Sequence, residues 1–204
     1  MTVVNISLKA LGALLTYPDP TLVAAVPELR QALENDPEIP SVLKPRLRSL
    51  LDYLQATDPF ELEEAYVSQF DTGRSTSLHL FEHVHGESKD RGQAMVDLKT
   101  HYEQAGLNLV PEELPDFIPA FLEFCSVVEP SVAGEFLGDC QPILQAIGER
   151  LAKKDSPWAA VFPVVQIYAH PTLEDKLPAV RPESDLDTEW AEEPAFGHPV
   201  QGVC

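Results

Sequence analysis

The sequence predicts an all-α fold: a single helical-bundle-like domain of about nine to ten helices over residues 1–170, followed by an acidic, proline-containing tail over 171–204. Three observations carry this. Apolar residues return at three- and four-residue spacing through most of the first 170 positions, and no stretch of useful length alternates as a strand would. Proline, aspartate and glycine stand where such helices should begin and end. A chain of 204 residues with 44% hydrophobic content is also long enough to bury a core without disulfide or metal support.

Taken in order, Val4, Leu8, Leu11 and Leu15 form the first stripe, which stops at Tyr17-Pro18-Asp19-Pro20. Leu22, Val26, Leu29 and Leu33 form the second, closing near Asn35-Asp36-Pro37, and Val42, Leu43, Leu47, Leu50, Leu51 and Leu54 the third. Asp58-Pro59 reads as an N-cap with a first-turn proline, opening a helix with Leu62, Tyr66 and Phe70 on one face. Ser75 or Ser77 is expected to cap a short helix ending at Val84-His85, with Gly86 as its stop. Ser88 is expected to cap the next, where Ala94, Leu98, His101 or Tyr102, and Ala105 share a face up to Gly106. Further helices are predicted over Pro115–Val128, Ser131–Cys140, Pro142–Lys153 and Trp158–Tyr168. Beyond His170 prolines recur and no stripe persists, which predicts an irregular tail. Within it, WAEEPAF (190–196) places an aromatic at each end of an acidic core, the pattern of a segment that folds back on the domain or stays solvated.

Charge narrows the function classes. With 33 acidic against 14 basic residues, the net charge of −19 repels phosphate backbones and favours a basic or amphipathic polypeptide partner over nucleic acid. The three cysteines (Cys125, Cys140, Cys204) are widely spaced and form no C-x-x-C pair, which reads as two buried thiols in a reducing cytosol. The N-terminus lacks a basic segment ahead of an apolar one, and the run from Trp158 to Ala169 is too short to span a bilayer, so a cytoplasmic location without membrane insertion is expected.

One motif points to catalysis. His79, Glu82 and His83 form H-x-x-E-H, which on a helix would put two imidazoles on one face as zinc ligands, with Glu82 as general base. A small zinc hydrolase is therefore the alternative reading. A third ligand would have to come from far downstream; Glu149 stands at a plausible distance without a recognisable motif around it. A non-catalytic site using His79, His83 and His85 is a lesser variant, because His85 points away from the other two on an ideal helix. There is no P-loop, G-x-G-x-x-G or G-x-S-x-G, and Cys125 sits in an apolar helix where a thiol is inert. These readings favour a non-enzyme with no bound metal or cofactor.

Three blocks resemble a known family. They are Glu64-Ala65-Tyr66-Val67-Ser68-Gln69-Phe70-Asp71, the run from Ser77 to Met95 continued through Val96-Asp97-Leu98, and Glu113-Leu114-Pro115-Asp116-Phe117-Ile118-Pro119-Ala120-Phe121-Leu122-Glu123-Phe124. Over roughly residues 60–130 their order and spacing are similar to the NarJ-type assembly chaperones of respiratory nitrate reductase, a branch of the all-helical molybdoenzyme chaperones. Ile118 and Ala120 depart only conservatively. The wider superfamily's Glu-Pro-x-Asp-His motif is represented at best by Glu113-Leu114-Pro115-Asp116-Phe117, so nucleotide-linked roles of distant relatives are not carried over.

The resemblance implies a cytoplasmic chaperone that binds the N-terminal segment of the immature catalytic subunit. It would hold that subunit competent for molybdenum cofactor and iron–sulfur insertion, with cofactor delivery proteins as further partners. An amphipathic segment needs an apolar groove with a charged rim. Tyr66, Phe70, Leu114 and Phe117, with Pro115 between the last two, are candidates for its floor. Asp71, Asp116 and Glu123 would meet basic client residues, and His79, His83 and Arg91 would orient the walls. A histidine lining the groove would make client affinity change between about pH 5 and 8.

Overall fold

A computed structural model describes residues 4–84, 88–110, 113–170 and 180–182, with the side chains of 88–90 left aside. Its described residues form eight α-helices and no sheet. The class is all-α, and the helix count falls slightly below nine to ten.

Helices α1 (Ile6–Ala13), α2 (Pro20–Asn35), α3 (Lys44–Ala56) and α4 (Pro59–Phe70) follow the predicted stripes closely. Three begin on side-chain caps that satisfy otherwise orphaned amides: Asn5 accepts from the Leu8 amide (2.9 Å), Asp19 from that of Leu22 (2.8 Å) and Asp58 from that of Phe60 (3.0 Å). Two predicted stripe residues depart: Val4 lies ahead of α1 and Val42 ahead of α3, and both are exposed. α5 (Ser88–Gln104) ends as expected at Gly106, whose φ of +82° suits a residue without a side chain. The amides of Gly106 and Leu107 then close onto the carbonyls of Glu103 and Tyr102 at 3.0 and 2.9 Å.

Three expectations change. The helix predicted from Pro115 starts only at Ile118, giving α6 (Ile118–Val127), because residues 116–118 are paired with another segment. Ser131–Cys140 and Pro142–Lys153 are one helix, α7 (Pro130–Lys153), with Pro142 inside it. Pro142 is exposed, whereas Leu137, Cys140, Ile143, Leu144, Ile147 and Leu151 are buried along one face. Continuous burial of that face outweighs the single helical bond that proline removes. The third is the predicted Trp158–Tyr168 helix, which is broken into a 3₁₀ turn (Pro157–Ala160), the four-residue α8 (Phe162–Val165) and a second 3₁₀ turn (Gln166–Tyr168).

α1 packs on α6, and α7 runs beside α6 and receives the 157–168 segment on its flank. Gly12 lets the first of these pairs approach: a β-carbon there would stand 3.1 Å from the Pro119 carbonyl oxygen. Cys125 and Cys140 are buried free thiols whose ionisation burial opposes, the latter pushed up to about 12. No helix among the described residues is long and apolar enough to cross a membrane. Most of the predicted tail, with WAEEPAF and Cys204, lies outside the described residues, as do His85 and Gly86.

Candidate functional site

The segment after α4 is where local pattern and structure part most sharply. Instead of a helix, residues 78–80 run extended and pair antiparallel with 116–118: the Ile118 amide donates to the Leu78 carbonyl (2.8 Å) and the Leu80 amide to the Asp116 carbonyl (3.0 Å). Only Leu80–His83 turns, as a 3₁₀ helix. Because residues i and i+3 superpose in a 3₁₀ turn, Leu80 and His83 both point inward, at 1% and 0% exposure. His79, in extended backbone ahead of the turn, is partly exposed. The shared helical face that two zinc ligands require does not form.

The two histidines have opposite chemistry. His83 is enclosed between the 75–77 loop and α7. Arg150, itself buried, donates through Nη1 to His83 Nδ1 at 3.0 Å, so the imidazole proton sits on Nε2 and is donated to the Ser77 carbonyl at 2.8 Å. Both ring nitrogens are thereby engaged. Burial, with the nearby Arg150 charge, pushes His83 down to about 4. His83 is thus neutral between pH 5 and 8, and the expected titration there does not belong to it. Arg150 also donates to the carbonyls of Ser75 (3.1 Å) and Arg181 (2.6 Å), joining the 75–84 segment, α7 and the short 180–182 stretch at one point.

His79 donates from Nδ1 to Asp116 Oδ1 at 3.3 Å, and its ring lies tilted against Phe117 with centroids 5.3 Å apart. The hydrogen bond to Asp116 raises its pKa, against the opposing effect of partial burial. Asp116 is fully buried, and its second oxygen accepts from the Phe81 amide at 3.1 Å. Asp116 therefore clamps the 79–81 turn to the start of α6 and offers no free oxygen to a basic client residue.

Tyr66 and Phe70 are likewise framework rather than groove floor, at 5% and 4% exposure. They pack edge-on or tilted with Trp158, Tyr17 and each other at centroid distances of 4.8–5.9 Å, and the Tyr66 hydroxyl donates to the Leu15 carbonyl at 2.9 Å. The remaining predicted residues are accessible. Leu114, Asp71, Arg91 and Glu123 are exposed, while Pro115 and Phe117 are half-buried. Glu123 pairs with Lys9 at 3.0 Å. Partial burial, and then the proximity of Glu123, raises the Glu113 carboxyl, marking a local concentration of negative charge beside Leu114. Arg150 and the 180–182 stretch are the participants that sequence reasoning missed. Arg150 stands three residues after Ile147 and seven after Ile143, in register with the buried face of α7, and that spacing was the available signal.

Comparison with known proteins then gives the family. The family model described as nitrate reductase delta subunit matches residues 22–163. The chain is 38% identical over 196 residues to the nitrate reductase molybdenum cofactor assembly chaperone NarJ of Escherichia coli K12, covering 92% of this chain and 83% of the relative. It is 37% identical over 194 residues to the probable nitrate reductase molybdenum cofactor assembly chaperone NarW of the same strain, covering 91% and 81%. It is also 30% identical over 162 residues to the probable nitrate reductase molybdenum cofactor assembly chaperone NarJ of Bacillus subtilis, covering 79% and 86%. The match spans the 64–71, 77–98 and 113–124 blocks together with the helices that enclose them, and the chain belongs to the nitrate reductase delta subunit family.

Proposed function

We propose that this protein is a non-catalytic, cytoplasmic assembly chaperone for nitrate reductase. Its client is the immature catalytic subunit, engaged through the N-terminal segment and kept competent for molybdenum cofactor and iron–sulfur insertion. The observation that carries the reading is likeness along 92% of the chain to a relative named as such a chaperone. Cofactor delivery proteins are further partners on the same reading.

The surface chemistry supports a polypeptide client. The half-buried Phe117 and the exposed Leu114 lie in the sequence between acidic positions, Asp71 and Glu113 before them and Glu123 after. An amphipathic basic segment would cover the apolar side chains and meet the carboxylates. In this arrangement Tyr66, Phe70, His83 and Asp116 shape the face from beneath, while Asp71, His79, Arg91, Leu114, Pro115, Phe117 and Glu123 touch the client. The chain's net charge of −19 would steer a basic segment towards it.

The test is calorimetric titration with a peptide carrying the N-terminal sequence of the catalytic subunit from the same source. Leu114→Ala and Asp71→Asn are suitable variants because both positions are exposed and truncation leaves the core intact. Each should weaken binding by about tenfold, the loss expected of one well-placed contact. A peptide that fails to bind the wild-type protein would remove the reading.

A further inference from the structure

α4 buries one side and exposes another. Leu62, Tyr66 and Phe70 point into the core. Phe60, Glu64, Val67 and Asp71 follow one another at spacings of four, three and four residues, which at about 100° per residue brings them onto a single second face. All four are exposed, Phe60 at 74% and Val67 at 42%. The face presents apolar and acidic side chains in turn and runs for about 16 Å. A phenylalanine left in water adds little to folding, because only burial yields the hydrophobic gain, so the fold alone does not account for Phe60.

This stripe runs into the face that carries Leu114 and Phe117. Asp71 caps the C-terminus of α4 and has His79 as a neighbour, whose proximity opposes the rise that desolvation imposes on the Asp71 carboxyl. His79 in turn rests on Phe117. Charge decides what fits along the stripe. Among the described residues no lysine or arginine pairs with Glu64 or Asp71, and Glu61, exposed in the first turn of α4, adds a carboxylate at the Phe60 end. A second copy of this chain would bring the same carboxylates against them. Residues 171–204 carry eight acidic and two basic side chains, the same mismatch. A basic amphipathic segment matches both features, with apolar side chains over Phe60 and Val67 and cations on Glu64 and Asp71.

We propose that the outer face of α4, from Phe60 to Asp71, is a docking strip that lengthens the client-binding face. Phe60 and Val67 are its apolar anchors, and a basic amphipathic stretch of the client is its occupant. This rests on the chaperone reading. One part of the client segment covers Leu114 and Phe117; the next passes Asp71 and lies along α4. Joined through Asp71 and His79, the two patches give the client two apolar footholds, and the carboxylates between them fix its register. In the free protein Glu61, Glu64 and Asp71 separate the apolar side chains, which keeps the exposed apolar patch small.

The experiment titrates the full chain with the catalytic-subunit N-terminal peptide by calorimetry. Phe60→Ala and Val67→Ala shorten exposed side chains and leave the buried face of α4 intact. Val42→Ala, at a position 76% exposed ahead of α3 and outside the strip, controls for the loss of an exposed apolar side chain elsewhere. Phe60→Ala should weaken binding about tenfold and Val67→Ala about fivefold, while Val42→Ala should match wild type. Wild-type affinity in both strip variants, with Leu114→Ala still weakened, would overturn the strip and leave the chaperone reading standing. Equal weakening by Phe60→Ala, Val67→Ala and Val42→Ala would mark non-specific adsorption and would also overturn the strip. A wild-type protein that does not bind the peptide would overturn both.

Discussion

Replacing His83 by glutamine should flatten the acid side of the stability curve. The imidazole is fully buried, accepts from Arg150 and donates to the Ser77 carbonyl, so only its neutral form fits. Its pKa falls from the ordinary 6.5 to about 4, so the unfolded chain binds a proton that the folded chain refuses between those values. The sign follows: stability is complete above the ordinary value and is lost as pH falls towards the folded value. The full shift corresponds to about 3 kcal/mol, of which about 2 kcal/mol is already lost at about pH 5. His79 runs the other way: its raised pKa gives stability that is fully present below the ordinary value and lost as pH rises through the folded one.

Glutamine can still donate to Ser77 and does not titrate. The variant should cost about 1–3 kcal/mol at neutral pH, from the lost Arg150 contact, but should lack the His83 part of the acid slope. Urea unfolding of both proteins, in steps from about pH 7.5 to about pH 4.5, isolates this part as a difference, because His79 and the carboxylates are common to both. A gap between the curves that narrows by about 2 kcal/mol on going to about pH 5 is the expected outcome. Parallel curves would refute the neutral, doubly hydrogen-bonded His83.

Asp116→Ala strands the Phe81 amide and removes the His79 partner, so unfolding free energy should fall by about 1–3 kcal/mol. The His79 pKa followed by NMR should drop towards its ordinary value, and an unmoved titration would show that Asp116 does not set it. Gly148→Ala places a β-carbon 2.7 Å from the Phe162 β-carbon, where α7 meets α8, and should cost about 1–3 kcal/mol in thermal or urea unfolding. Tyr66→Phe keeps the aromatic packing and loses the bond to the Leu15 carbonyl, for about 1 kcal/mol by the same measurement. Lys9→Ala breaks an ion pair whose partners are 58% and 49% exposed, and should leave the melting temperature nearly unchanged.

The sequence by itself determined the helical class, the first four helices, the end of α5 and the family blocks. These depend on neighbours three or four residues apart: apolar stripes such as Leu47, Leu50, Leu51 and Leu54, caps such as Asp19 and Asp58, and the glycine at 106. Only the tertiary structure decided what happens around His79. The 75–85 stretch of the sequence carries leucine, phenylalanine and histidine at spacings a helix could use, yet the Leu78 carbonyl and the Leu80 amide find their partners in 116–118, nearly forty residues away. That pairing turned the H-x-x-E-H motif into one half-exposed histidine bound to Asp116 and one buried histidine bound to Arg150. It also moved Asp116 from an expected client contact into a buried clamp. Pro142 likewise stays inside one helix because the face of α7 opposite it is buried end to end. Local spacing fixes which turns can form; which of them persist depends on whether a distant segment satisfies the same main-chain groups and covers the same apolar surface, and no window of neighbouring residues contains that information.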